Sequence, residues 1–400
     1  MNPRTSPGPW LPLFLTLAIQ AMVSMALITL PVIAPQVARA LRVSPALVGP
    51  YVSITYLAAM FSSLLGGIGV RRWGAIRVSQ WGLLSCAAGL VLCAVPWLPA
   101  MALGAFLIGM GYGPITPASS HILARTTSAQ RMSLVFSVKQ TGVPMGSVLA
   151  GAIVPSLMLA TGWQASLVVV AAVCVACAWA SERQRPVLDD DPREHVPFQL
   201  TTLLSPVRMV LAHRALATMA ACSFLFSMVQ MSLSTYLVTF LNQDLAYGLV
   251  AAGLVLSFAQ MGGVAGRIAW GYVADRWLGT FAMLMTLAGL MVACALATAA
   301  FTPDTPRWLV IAVLVVFGAS GIGWNGVYLA EVARRAPPGQ AGVATGGTLA
   351  FTFLGVVIGP PVFGALSAGF GAYRAGFLSL VVAASAAAVM LVWSRRRAGA

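Results

Sequence analysis

The sequence predicts an all-α membrane protein made of two bundles of six transmembrane helices related by a pseudo-two-fold axis. Three observations predict it. Of 400 residues, 59% are hydrophobic and only 8% are charged, whereas soluble domains carry roughly 25% charge. The apolar residues fall into twelve runs, each near the roughly 20 residues a helix needs to cross a hydrocarbon core. The last six runs also repeat the first six at nearly constant spacing.

In chain order the runs place helices one to six at about 11–38, 45–70, 78–96, 99–124, 132–159 and 164–180. Helices seven to twelve follow at about 215–241, 248–272, 280–301, 308–331, 341–367 and 373–394. The first run is too long for a signal-peptide core and reads as an uncleaved helix. The expected domains are therefore an N-terminal bundle over 1–180, a linker over 181–214 and a C-terminal bundle over 215–400. The linker contains Asp189-Asp190-Asp191 and Arg193-Glu194-His195, a composition that reads as a solvated connection.

The formal charge of +14 is a topology signal rather than a nucleic-acid footprint, because the arginines lie singly or in pairs between apolar runs. With the N-terminus inside, only Arg39, Arg42, Arg307 and Arg374 fall outside, and only Lys139 falls deep within a span. The other basic residues, from Arg4 to Arg397, lie on the inner side, with Arg267 near a helix end. Both termini are expected to be cytoplasmic, in a cell inner membrane. The six cysteines, including the pair Cys174 and Cys177, lie inside apolar runs and read as packing residues.

The repeat is specific. At an offset of 204, Gly49 maps to Gly253, Gly67 to Gly271, Arg72 to Arg276 and Trp73 to Trp277. At an offset of 210, Arg125 maps to Arg335, Gln130 to Gln340 and Ala165 to Ala375. Two such repeats joined by a central linker suit alternating access to a solute site between the halves.

Ionisable groups inside a membrane cost about 2.5 kcal/mol or more on insertion scales, so each is a functional candidate. All nine carboxylates fall in loops or at helix ends: Glu182, Asp189, Asp190, Asp191, Glu194, Asp244, Asp275, Asp304 and Glu331. That argues against a cationic substrate. Two basic groups remain. Lys139, the only lysine, lies seven residues into helix five, about 10 Å from the inner surface. Arg267 lies at similar depth in helix eight. Each has a structural alternative: Lys139 snorkels to the headgroups, and Arg267 pairs with Asp275 or Glu331. Polar groups on helices one, four, seven and ten are candidates for shaping specificity: Gln20, Ser24, Tyr112, Gln230, Tyr236, Trp324 and Asn325. Each is also a candidate interhelical hydrogen bond. Trp324 and Asn325 stand out because Gly321 and Gly323 beside them leave room for a ligand. His121 is either a proton sensor or a helix-end hydrogen bond. Pro31, Pro35, Pro144, Pro360 and Pro361 are expected to bend or break helices.

Across its length the chain resembles the major facilitator superfamily, whose loop motif runs Gly-x-x-x-Asp-Arg-x-Gly after helices two and eight. The second copy is Gly271-Tyr-Val-Ala-Asp275-Arg276-Trp277. The first, Gly67-Ile-Gly-Val-Arg71-Arg72-Trp73-Gly74, has arginine in place of aspartate. The resemblance implies that Asp275 latches one conformation by pairing with basic groups of a neighbouring helix, and that Arg71 weakens this in the first half. Residues Gly67, Arg71, Arg72, Gly271, Asp275 and Arg276 are the expected latch.

The helix-four arginine of proton-coupled drug exporters is Ala105 here, and only part of their helix-five motif is present, in Gly142-Val-Pro144-Met-Gly146. The phrase Gly266-Arg267-x-x-x-Gly271-x-x-x-Asp275 is similar to helix eight of monocarboxylate and oxalate/formate carriers, where the arginine contacts the substrate carboxylate. Their helix-eight aspartate is Gly263 here, and their helix-one lysine has no counterpart. In that fold helices five and eight face each other, which brings Lys139 and Arg267 towards one volume.

The expectation is a secondary transporter, a symporter of a small organic anion such as a monocarboxylate. Its expected substrate-binding residues are Lys139, Arg267, Tyr112, Gln230, Trp324 and Asn325. The expected partners are that anion, the lipid bilayer and a coupling proton or other ion, with no nucleic acid, metal or cofactor, and a monomeric state. The alternatives are an exporter of neutral or amphipathic compounds and a non-transporting sensor. An enzyme is not expected, since no nucleophile–base pair or metal cluster falls in the spans.

Overall fold

In lipid no water is available to backbone N–H and C=O groups, so a chain this apolar satisfies them inside helices. The computed structural model describes residues 10–127, 135, 138–190, 200–337 and 341–398. Among the described residues twelve helices are long and apolar enough to cross a membrane. The sequence candidates Arg4, Gln130, Arg131, Asp191, Arg193, Glu194, His195 and Gln340 lie outside the described residues.

The first half contains α1 (Trp10–Val32), α2 (Val48–Trp73), α3 (Ala75–Cys93), α4 (Leu98–Thr126), α5 (Val138–Thr161) and α6 (Trp163–Ser181). The second contains α7 (Arg214–Gln243), α8 (Leu249–Val273), α9 (Thr280–Ala299), α10 (Arg307–Arg335), α11 (Ala341–Phe370) and α12 (Tyr373–Ala398). The start of α1, the end of α12 and the described parts of the connection between the halves lie at one end of the bundle, the linker end; the opposite end is the far end.

Proline, which lacks an N–H, marks several of the interruptions. After Pro31 and before Pro35, α1 turns at Ile33 and continues as Ala34–Leu41. The Gly113-Pro114 step divides α4. Pro360 and Pro361, expected to bend or break a helix, are carried inside continuous α11. In α10 the break falls at Trp324, after two glycines.

The halves meet where α5 packs on α8 and α2 on α11. These two contacts are images of each other, because the repeat maps α2 to α8 and α5 to α11. At the first, backbones approach too closely for side chains: a Cβ on Gly151 would lie 2.5 Å from the Gly253 carbonyl oxygen. Ser257 Oγ donates to the Val148 carbonyl at 2.9 Å along the same seam. Toward the far end, Ser53 Oγ donates to the Val357 carbonyl at 2.5 Å and Tyr236 Oη to the Ala46 carbonyl at 2.9 Å. Large apolar side chains such as Phe14, Trp179, Val382 and Val389 are exposed around the bundle, where lipid is their solvent.

The segment read as a solvated linker is partly folded. Leu200–Ala212 forms a helix whose Pro206 carbonyl and Val210 side chain rest against Gly347 of α11. Val210 is fully buried there.

Candidate functional site

A small cavity of about 30 Å³ lies between the halves, room for a water or two by that measure. Its polar wall consists of Ser24 (α1), Tyr56 (α2), Tyr112 (α4), Ser147 (α5), Gln230 and Ser234 (α7) and Gln260 (α8). Tyr56 and Tyr112 meet edge to face at 5.8 Å, and Tyr56 reaches Phe353 of the other half at 6.3 Å. Of the six expected substrate-binding residues, Tyr112 and Gln230 line this space, as does the further candidate Ser24. Lys139, Arg267, Trp324 and Asn325 are not among its lining residues, although Trp324 and Asn325 bond Gln230 and Arg267 bonds Ile322, both of which are.

Helical spacing places Lys139 one turn from Val143, on the face of α5 that supplies Val143, Pro144 and Ser147 to the cavity. Its side chain is 1% exposed, and Nζ has no hydrogen-bond partner among the described residues. At that exposure the ammonium does not reach the headgroups, so the snorkelling alternative fails. Arg267 crosses from α8 to the other half: Nη1 donates to the Gln140 carbonyl at 2.9 Å, and Nε to the Ile322 carbonyl of α10 at 3.3 Å. It pairs with neither Asp275 nor Glu331. Among the described residues one cation is thus unpartnered, and the other is held by two neutral carbonyls, one of them that of Gln140, the residue after Lys139. Gln20 of α1 packs against Gly142, also on α5, and both of its amide atoms are buried without partners among the described residues.

Trp324 is fully buried and packs edge to face on Phe226 at 5.5 Å and Tyr328 at 5.2 Å. Its Nε1 donates to Gln230 Oε1 at 2.9 Å, and Asn325 Nδ2 donates to the same oxygen at 3.3 Å. The room expected beside Gly323 is filled, since a Cβ there would lie 3.1 Å from Gly266 Cα of α8. The glycine serves helix packing, because two backbones approach there.

At the linker end the residues expected to form a latch make few contacts among the described residues. Gly67 and Gly271 face open space, and Arg72 lies 5.1 Å from the Trp73 ring. Asp275 is exposed on a π-turn and forms no ion pair or hydrogen bond among the described residues. The acid that meets a neighbouring helix is instead Glu331 of α10, which accepts the Thr280 hydroxyl at the start of α9 and pairs with Arg335 Nε at 2.6 Å. In the first half the linker supplies the acids. Asp189 Oδ1 accepts the Ile76 N–H at 2.8 Å and Oδ2 the Arg77 N–H at 3.0 Å, at the start of α3. Asp190 pairs with Arg125 at 2.7 Å. Asp189 is therefore docked on α3, while Asp190, whose side chain is 61% exposed, is tied down by Arg125.

The two arrangements match through the repeat. Ile76 corresponds to Thr280, and Arg125 to Arg335; His121 stands where the second half has Glu331. Sequence reasoning missed Asp189, Asp190 and Glu331 in these roles. The signal was available: a histidine at Glu331's place, with its arginine retained, calls for an acid from elsewhere.

The family model described as Major Facilitator Superfamily matches residues 13–350. An uncharacterized MFS-type transporter of Mycobacterium tuberculosis (strain CDC 1551 / Oshkosh) is 27% identical over 287 residues, 71% of this chain and 62% of that one. The chain thus spans less than two thirds of that relative's length. Monocarboxylate transporter 11 of Mus musculus is 26% identical over 324 residues, 77% of this chain and 69% of that one. Among solved structures, the nucleoside transporter NupG superposes with a TM-score of 0.78 at 18% identity, covering 95% of this chain and 99% of that one. That is a likeness of fold.

Proposed function

The chain belongs to the major facilitator superfamily, and from that premise we propose that it is a secondary carrier of a small organic anion, monocarboxylate-like. The halves, 1–180 and 215–400, rock about the α5–α8 and α2–α11 seams, with the linker end in the cytoplasm of a cell whose inner membrane the protein spans. The carrier acts as a monomer and moves its anion together with a proton or another coupling ion.

One observation carries this reading. Among the described residues Lys139 is buried with its ammonium unpartnered, and Arg267, which bonds the carbonyl of the residue after that lysine, is held only by carbonyl oxygens. No carboxylate among the described residues neutralises either cation. Leaving charge buried and unpaired is costly, and an anion entering between the halves offsets that cost for both groups. The monocarboxylate-transporter relative supports the same class.

The test is uptake of a radiolabelled short monocarboxylate into proteoliposomes, with and without an inward proton gradient. Uptake is expected to be lost in Lys139→Ala and Arg267→Ala and stimulated by the gradient. Unchanged uptake in both variants, or uptake of neutral amphipathic compounds alone, overturns the anion reading.

A further inference from the structure

Gln230 is set by its neighbours to present a hydrogen-bond donor, and not an acceptor, to the cavity. An indole N–H can only donate. Trp324 Nε1 lies 2.9 Å from one end of the Gln230 amide, so that end must be the oxygen. The assignment follows from chemistry and is free of the usual ambiguity between amide N and O. Asn325 Nδ2 approaches the same oxygen at 3.3 Å. The –NH2 end is therefore turned away from Trp324, and Nε2 has no acceptor among the described residues on the residue that lines the cavity.

Trp324 is held rigidly enough to enforce this. It is fully buried, clamped between Phe226 and Tyr328, and sits at the break in α10. Flipping the amide sets –NH2 against an indole N–H and leaves two buried donors without acceptors, which low-polarity surroundings penalise strongly. The network also reaches the cation: Asn325 Nδ2 and Arg267 Nε both approach the Ile322 carbonyl, at 3.4 and 3.3 Å. A donor amide and a guanidinium are thus tied to one carbonyl of α10, on the cavity's edge.

We propose that Gln230 is a specificity-determining donor that binds a second oxygen acceptor on the transported anion, one outside the carboxylate neutralised by Lys139 and Arg267, and that Trp324 is its positioning residue. This rests on the anion reading. The ligand class it implies is a small acid bearing an oxo or hydroxyl oxygen beside the carboxylate.

The experiment compares uptake of propionate with that of its 2-hydroxy and 2-oxo counterparts in proteoliposomes, for wild type, Gln230→Leu, Gln230→Glu and Trp324→Phe. Wild type is expected to favour the oxygenated acids by about tenfold, the scale of one well-placed hydrogen bond. Gln230→Leu and Trp324→Phe are expected to bring that ratio close to one, while propionate uptake remains dependent on Lys139. Gln230→Glu keeps the acceptor for Trp324 but offers the cavity no donor, and is expected to exclude the 2-oxo acid, whose extra oxygen can only accept, more than the 2-hydroxy acid, whose O–H can donate to the new carboxylate; it serves where the leucine variant does not fold. A merely structural role for these residues lowers all uptake together and leaves the ratio unmoved. An unmoved ratio in the variants, or equal uptake of all three acids by wild type, overturns the proposal while the anion reading stands. Uptake of none of the acids by wild type overturns both.

Discussion

The Asp189 carboxylate caps α3, its Oδ1 accepting the Ile76 N–H at 2.8 Å. Its other oxygen takes the next free donor, Arg77 N–H, at 3.0 Å. The first turn of a helix has N–H groups without intrahelical partners, and an acid there satisfies them and complements the helix dipole. The acid comes from 112 or more residues downstream, so the cap also fastens the linker to the first half. Asp189→Ala is expected to cost about 1 kcal/mol. It should lower the melting midpoint of purified protein by a few degrees and make the segment after Leu188 more sensitive to limited proteolysis. Unchanged cleavage would show that the linker is held by other contacts.

Glu331 and Asp275 should separate cleanly. Glu331 is 5% exposed and serves both Thr280 and Arg335. Glu331→Ala strands both partners and is expected to destabilise the fold by on the order of 2 kcal/mol. Asp275 is exposed and unpartnered among the described residues, so Asp275→Asn is expected to leave the melting midpoint within about a degree, the scale of neutral surface changes. The reverse ranking in a thermal-shift measurement would restore Asp275 as the structural acid.

Gly151 and Gly253 set how closely α5 and α8 can slide past each other. A Cβ at 151 meets the Gly253 carbonyl oxygen at 2.5 Å, and backbone cannot move aside cheaply. Gly151→Val is expected to cost about 1–3 kcal/mol in overpacking and to slow uptake more than it lowers stability, because the contact lies on the rocking seam. A double electron–electron resonance distance across the far end should broaden in the variant; a wild-type distribution with wild-type uptake would remove the seam from the mechanism.

Asp244 ends α7 outside the spans, where its Oδ2 accepts the Tyr373 N–H at 3.0 Å at the start of α12. Burial raises its pKa above the ordinary carboxylate range, an effect the Tyr373 bond opposes. A carboxyl whose folded pKa is raised favours the folded state when protonated, and that contribution is lost as pH rises through the raised value. Asp244→Asn keeps an acceptor for Tyr373 but cannot ionise. The variant is therefore expected to melt higher than wild type at pH 7, and the difference is expected to vanish below the carboxylate range. A constant difference across pH would show that the charge is not the cause.

Much of the site was visible in the sequence, because a charge in an apolar run is conspicuous. Lys139 and Arg267 stood out in this way, and the fold brings the Arg267 guanidinium to the carbonyl of the residue after Lys139. Gln230, Trp324 and Asn325 stood out as polar groups on cavity-lining helices, but their division of labour did not. Whether an indole faces a ligand or a neighbouring amide depends on the rotation of α7 against α10, which periodicity does not encode. Asp189 and Asp190 read as solvated because loop acids usually are; only the folded linker shows a helix terminus and Arg125 beneath them.

By itself, the sequence determined the number of spans, the repeat and the scarcity of carboxylates in the membrane. Those follow from the cost of unsatisfied backbone and buried charge in lipid, which acts on every residue regardless of its neighbours. Tertiary structure decided which polar atoms find partners. Among the described residues it left Lys139 without a partner, gave Arg267 only carbonyls, set the Gln230 amide oxygen against Trp324, and brought Glu331 rather than Asp275 to a neighbouring helix. Those outcomes turn on separations of a few ångströms between helices far apart in the chain, and packing alone sets them.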